Sequence, residues 1–261
     1  MSKKKSEKKV STKDSMWIYG KHATKSALLN PKREILRFIL LESNKNFLQE
    51  ISKAPRINAN RPSPEFVDKN CFHALFGKEA THQGCAVLVR KQPEISLEEL
   101  LQDANDNRPF VFLDQVTDPQ NIGSILRAAA VFGARAGVIT EDHSPEITPA
   151  IAKAASGALE FIPLIRVINL VQSINILKKH GFWSIGLDER AEKRLDETDL
   201  NGKFMFVIGN EGAGLRRLSK EACDFVLHLP EASTFTTLNA AQAATVTLYE
   251  ISKQRMKGKQ Q

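Results

Sequence analysis

Three short stretches of this chain collect polar side chains where a folded protein keeps its chemistry. The first is Asp118-Pro119-Gln120-Asn121-Ile122-Gly123-Ser124-Ile125-Leu126-Arg127, entered from an apolar run at residues 109–113 and left through an alanine-rich helical pattern. A strand that turns over Asp-Pro and re-enters a helix through Asn-x-Gly exposes polar groups at the strand's carboxyl end, where open α/β sheets bind ligands. The second stretch is Gly209-Asn210-Glu211-Gly212-Ala213-Gly214, after Phe206-Val207-Ile208, and the third is Thr237-Leu238-Asn239. Glycines let the backbone approach a ligand closely, so that amides and carbonyls can read an adenine or a ribose. Amide, hydroxyl, carboxylate and guanidinium groups supply the hydrogen bonds and charge of a site that aligns polar reactants. Each residue alone also has a scaffolding role. Asn121, Asn239 and Thr237 suit helix N-caps, and Arg127 suits a surface ion pair.

Other chemistries lose support. The glycine-rich loop lacks the Gly-Lys-[Ser/Thr] ending of a phosphate-binding P-loop and is not Gly-x-Gly-x-x-Gly. There is no His-Glu-x-x-His, no Gly-x-Ser-x-Gly and no metal-ligand spacing, so no metal is expected. Three scattered cysteines (Cys71, Cys85, Cys223) match neither a disulfide framework nor a zinc site and point to a reducing cytoplasm. No apolar run approaches the ~18 residues of a membrane span, and the lysine-rich amino terminus has no apolar core of a signal peptide.

The elements that must position these turns read as an alternation. Strands are expected at 109–114, 136–140, 161–165, 182–187, 204–208 and 225–229, and helices at 121–132, 148–156, 169–180 and 239–255, which favours a mainly parallel sheet. Ahead of them lies a smaller α/β unit, with a helix at 21–29 and strands at 35–41 and 85–89. We read residues 1–13 as a flexible basic tail, 14–90 as a first domain, 91–107 as a linker and 108–261 as a second domain. The linker contains Ser96-Leu97-Glu98-Glu99, a capping-box signature for a short helix. Residues 1–13 carry six lysines against one glutamate, and residues 253–261 carry four cations and no acid. The two tails therefore carry a net +9, and the body between them sits at −2, which together make the net +7. Such tails either keep a protein soluble or collect phosphates, as basic arms do on RNA.

Taken together, the motifs resemble the SpoU (TrmH-like) family of RNA ribose 2′-O-methyltransferases, in the knotted SPOUT superfamily. The family's first motif matches Asp118-Pro119-x-Asn121-x-Gly123 through Arg127, and its second matches Ile208-Gly209-Asn210-Glu211-Gly212-x-Gly214-Leu215. Its third corresponds to Leu229-Pro230 through Thr237-Leu238-Asn239. Tyr19-Gly20-Lys21-His22-Ala23 looks like the start of the family's L30e-like RNA-binding domain. Residues 155–160 with Asn169-Leu170 look most like the large-subunit rRNA guanosine members. Two segments depart from the family pattern, Glu231-Ala232-Ser233 and Ala240-Ala241-Gln242, and Thr237 stands where serine is usual.

The resemblance implies a C-terminal α/β domain with a deep trefoil knot, a homodimer, and S-adenosylmethionine held by backbone near Gly209, Leu229 and Leu238. It implies that Arg127 activates a ribose 2′-hydroxyl, with Asn121, Glu211, Thr237 and Asn239 completing the catalytic set. Glu211 would fix its loop or orient Arg127. A guanidinium stays protonated above pH ~12, so an orienting or charge-stabilising role for Arg127 is physically easier than that of a literal base. The expected partner is large-subunit rRNA in the cytoplasm, with no membrane and no DNA. Transfer RNA as the substrate, or a non-catalytic ribosome-assembly factor on the same fold, are the rival readings.

Overall fold

The computed structural model describes residues 14–54, 60–142, 144–232 and 238–258. The chain divides at Pro93/Glu94 into two compact units. The first runs β1 (Ser15–Tyr19), α1 (Lys21–Leu29), β2 (Ile35–Leu41), α2 (Lys45–Ser52), β3 (Glu65–Val67), α3 (Lys69–Phe76) and β4 (Cys85–Arg90). Its sheet is ordered β1-β4-β2-β3, with β4 antiparallel to both β1 and β2, and β3 parallel to β2. Trp17 and Tyr19 of β1 pack their rings against Phe76 of α3 at 5.6 and 4.9 Å.

The second unit opens with α4 (Leu97–Leu101), whose Ser96 and Glu99 form the reciprocal capping box read from the sequence. There follow β5 (Phe110–Asp114), α5 (Pro119–Val131), β6 (Ala136–Thr140), α6 (Pro149–Ala154), β7 (Leu164–Val167), α7 (Leu170–Lys179), β8 (Trp183–Leu187) and β9 (Lys193–Arg194). β10 (Phe204–Gly209), α8 (Arg217–Ala222), β11 (Phe225–His228) and α9 (Ala240–Gly258) complete it. The strands form one parallel sheet in the order β7-β6-β5-β10-β8-β11-β9. This is the mainly parallel sheet expected from the alternation.

Both faces of the sheet are covered, and the strand residues divide between them with the period of two that a pleat imposes. Val111 and Leu113 of β5, with Phe204, Phe206 and Ile208 of β10, face a core closed by α5, α6 and α9. Phe110 and Phe112, with Met205 and Val207, face the opposite core under α4, α7 and the end of α8. Leu97 and Leu101 are buried in that second core, so the stretch from Glu94 packs as part of the second unit.

Among the elements that differ from the sequence reading are β7 and α8. The strand expected at 161–165 begins at Leu164, because Pro163 has no amide to donate to a ladder. Phe161 instead ends a 3-10 turn at residues 158–160, and the Pro163 carbonyl accepts from the Gly137 amide at 3.0 Å. The helix α8 was not expected at all. It has only six residues and no side-chain cap, too short for an apolar period to show.

At the amino end of the sheet, buried Arg135 ties the entry to β5 together. Its guanidinium donates to the carbonyls of Leu100, Asp103 and Asp106 and lies 3.2 Å from the Asp106 carboxylate. Burial raises the Asp106 carboxyl, but hydrogen bonds and charge from Arg108, with the charge of Arg135, outweigh it and leave the group below the usual carboxylate range. Replacing Arg135 with alanine removes a donor from three carbonyls and leaves the Asp106 carboxylate to Arg108 alone, and we expect a loss of about 2 kcal/mol in urea denaturation. A loss under about 1 kcal/mol would show that water takes over those contacts.

Candidate active site

The parallel pairing of β5 with β10 sets Leu113 against Ile208 and Asp114 against Gly209, so two loops distant in sequence leave the sheet side by side. Three contacts then join them. Fully buried Asp114 accepts from the Arg216 guanidinium at 2.5 Å and from the Arg216 amide at 3.0 Å. The Asn210 side chain donates to the Gln115 carbonyl at 3.0 Å. Further out, the Asn121 side-chain amide donates to the Glu211 carboxylate. An ionised carboxylate only accepts, so the contact requires the NH2 side of Asn121 to face it.

Local chemistry explains why each loop presents these groups. The cap of α5 is Asp118, which accepts from the Gln120 amide at 3.0 Å, with Pro119 at the first helical position where its missing N–H costs nothing. Asn121 is therefore not the N-cap that the sequence allowed. It lies inside the first turn, 7% exposed, with its side chain free to reach Glu211. Gln115 turns the chain with a left-handed φ of 57°. The other loop closes on itself through reciprocal backbone bonds between Asn210 and Gly214 at 3.1 and 2.8 Å. This closure demands glycine at 209, because a Cβ there would overlap the Gly214 carbonyl. Gly123 is demanded similarly, because a Cβ would run into Ala154 as α5 crosses α6.

The remaining residues singled out in the sequence fall as follows. Arg127 is exposed on the solvent stripe of α5 with Gln120, Ser124 and Val131, six residues beyond Asn121 and so roughly a third of a turn around the axis from it. No hydrogen bond or ion pair engages Arg127 among the described residues, so it has neither the surface acid nor the contact with Glu211 that the sequence permitted. Asn239 is the N-cap of α9. It accepts from the Gln242 amide at 2.8 Å, and its own amide donates to the Gln242 side chain at 3.1 Å. Gly209 ends β10, and Leu229, half-buried, follows β11 at the same carboxyl edge, with β8 between the two strands. Leu238 precedes α9 with its side chain half exposed. Thr237 lies outside the described residues.

Asp114, Gln115, Asn210 and Arg216 were not picked out as site residues. The one available signal was a carboxylate closing the apolar run Phe110-Val111-Phe112-Leu113-Asp114, which a strand end tolerates only when it finds a partner.

Residues 108–249 match the SpoU rRNA Methylase family, and residues 17–95 match the substrate-binding domain of RNA 2′-O-ribose methyltransferases. The chain belongs to the SpoU rRNA methylase family. The resemblance carried by the three motifs therefore holds. A relative of Pseudomonas putida named 23S rRNA (guanosine-2′-O-)-methyltransferase RlmB is 35% identical over 91% of this chain and 96% of its own length. The crystal structure of the SpoU methyltransferase AviRb from Streptomyces viridochromogenes superposes with a TM-score of 0.77 at 22% identity, covering 94% of this chain and 91% of that one. A second AviRb structure, in complex with the cofactor AdoMet, superposes with a TM-score of 0.74. SpoU architecture thus accounts for both the parallel sheet and the smaller amino-terminal unit.

The lock between the two SpoU turns is testable by a double-mutant cycle of Asn121→Ala and Glu211→Ala. We expect a coupling of about 1–3 kcal/mol in denaturation, because either single change leaves a polar partner unpaired. Additive losses would mean that the pair does not hold the loops.

Proposed function

We propose that this SpoU enzyme transfers the methyl group of S-adenosylmethionine to the ribose 2′-hydroxyl of a guanosine in 23S rRNA. The observation that carries the reading is an arginine, unpaired among the described residues, on the helix that leaves one of two turns locked together at the carboxyl edge of a parallel sheet. Support for the substrate comes from relatives so named that align along nearly their whole length, including the stretch that matches a substrate-binding domain.

The residues proposed for the cofactor suit its adenosyl part. Gly209, Leu229 and Leu238 carry no charge, two of them offer incompletely buried apolar side chains, and the strand ends beside them supply backbone donors and acceptors. When bound, S-adenosylmethionine supplies an electrophilic methyl group on a sulfonium sulfur. Arg127 holds the 2′-hydroxyl and a neighbouring phosphate and steadies the charge that grows on the ribose oxygen, while the proton leaves to phosphate or water. Asn121 and Glu211 keep the turn beneath that hydroxyl closed. Asn239 sets the start of α9, and Thr237 contributes a hydroxyl to the reacting region.

The trefoil knot belongs to the same proposal. Its support is the path of the chain from β11, near one end of the sheet, back to α9, which packs on α5. The homodimer is supported by an apolar patch on those two helices: Val131 is 72% exposed, Tyr249 54% and Val246 42%, more than isolated surface residues require. The setting is the cytoplasm, where ribosomal RNA is made, and among the described residues no helix is long and apolar enough to cross a membrane.

The deciding experiment offers labelled S-adenosylmethionine with unmodified 23S rRNA and with transfer RNA. We expect label in 23S rRNA alone, reduced roughly 100-fold or more in Arg127→Ala with cofactor binding retained. Label in transfer RNA would overturn the substrate, and absence of both transfer and cofactor binding would overturn the activity. An alkaline limb in Arg127→Lys unmoved from that of the parent supports orientation over proton abstraction. For the dimer, Val131→Asp is expected to shift the protein to a monomer in sedimentation, and an unchanged mass would remove this face as the interface.

A further inference from the structure

The carboxyl edge of the large sheet carries a groove that none of the residues proposed for methyl transfer or cofactor binding line. It encloses about 720 Å3, beside the end of β6, along α7 and against the first turn of α8. Gln172, Asn175 and Lys179 recur at spacings of three and four on α7, so they share one face, and all are exposed. Arg217 and Leu218 of α8 line the groove as well, and Ile168, two residues before α7, is 80% exposed.

The chemistry of this lining is mixed in a specific way. Lys179 has no hydrogen-bond or ion-pair partner among the described residues. Among the described residues Arg217 pairs only with Glu221, four residues along its own short helix, an exposed contact that exchanges easily. Against the cations Lys179, Arg216 and Arg217 stands one lining carboxylate, Asp142. Amide side chains that donate and accept lie between the cations, and the side chains of Leu218 and Ile168 are apolar surfaces held in water. Cations for phosphate, amides for base edges and apolar surfaces for base faces are what an unstacked nucleotide requires.

The groove is also continuous with the candidate active site. Arg216 lines it, and Arg216 is held through both its guanidinium and its amide by Asp114. The next residue, Gln115, holds Asn210 of the glycine-rich loop. One buried carboxylate thus anchors both the groove wall and the loops proposed for methyl transfer.

We propose that this groove binds an unstacked nucleotide of the RNA substrate that flanks the methylated one. The inference rests on the methyltransferase reading, because it takes the RNA from there. Lys179 and Arg217 grip the phosphates, Gln172 and Asn175 read the base edge, and Leu218 lies against the base face.

The test uses the full-length protein and unmodified 23S rRNA, comparing the parent with Lys179→Ala/Arg217→Ala, Leu218→Ala and Lys193→Ala. Lys193 is an exposed lysine on β9 outside the groove and serves as the charge control. The double variant is expected to raise the KM for RNA at least several-fold, leave kcat at saturating RNA and the affinity for S-adenosylmethionine unchanged, and melt like the parent. Its slope of log binding constant against log salt should fall by about 1.4, two contacts at roughly 0.7 each for a single strand. Leu218→Ala should raise KM with no change in slope. Parental KM and slope in the double variant overturn the proposal and leave the groove to a protein partner or to none. An equal loss in Lys193→Ala overturns it too, since the effect is then general charge. A parent that transfers no methyl group refutes the methyltransferase reading itself, whereas an active parent with an unaffected double variant refutes the groove alone.

Discussion

The pairing of β5 with β10 is the constraint on which the rest of the second unit depends. Parallel strands need crossovers, so these two neighbours are separated by four other strands in sequence and meet only when the sheet is assembled. Their register ends on Asp114 opposite Gly209. A fully buried carboxylate is tolerable there only because Arg216 reaches back from the second loop with two hydrogen bonds. The charge pair acts as a registration device: a slip of one residue would bury the carboxylate without its partner and turn the alternating apolar faces of the strand inside out.

Close packing around the turns extends this control outward. Gly209 lets the Asn210–Gly214 loop fold back on the strand that precedes it, and Gly123 lets α6 approach the first turns of α5. Both sites trade a side chain for backbone proximity, which makes the loops stiff where a ligand needs fixed donors and acceptors. Arg127 is different in kind. It is mounted on a helix that packs on the sheet, α6 and α9, yet it is exposed and unpaired among the described residues. A rigid mount with an unpaired cation suits a residue whose partner, a phosphate or a developing alkoxide, arrives with the substrate.

The residues of the site differ in how readable they were. Asn239 was legible as a cap because capping is a matter of three residues, and Gln242 completes the pair locally. The cap role that Asn121 could equally have filled went to Asp118, because Asp118-Pro119 is the stronger local start signal. Arg216 offered no signal, since an arginine beside Arg217 reads as ordinary surface until the strand end beneath it is known. The strand at 164–167 was placed three residues early because apolar Phe161 and Ile162 look like strand entry, while Pro163 makes the ladder start after it.

The sequence by itself determined the alternation of strands and helices, the parallel class of the large sheet, the short capped helix before it, and the three polar turns that mark the family. Those follow from periodicity, caps and glycine placement, all of which act over a few residues. Only the tertiary structure decided that Asn121 meets Glu211, that Asp114 meets Arg216 and that Arg127 meets no partner among the described residues. Those outcomes join side chains 90 and 102 residues apart, and they depend on which strands lie side by side at which register. Local propensity is blind to that choice, because the free energy that makes it comes from burying both faces of a shared sheet.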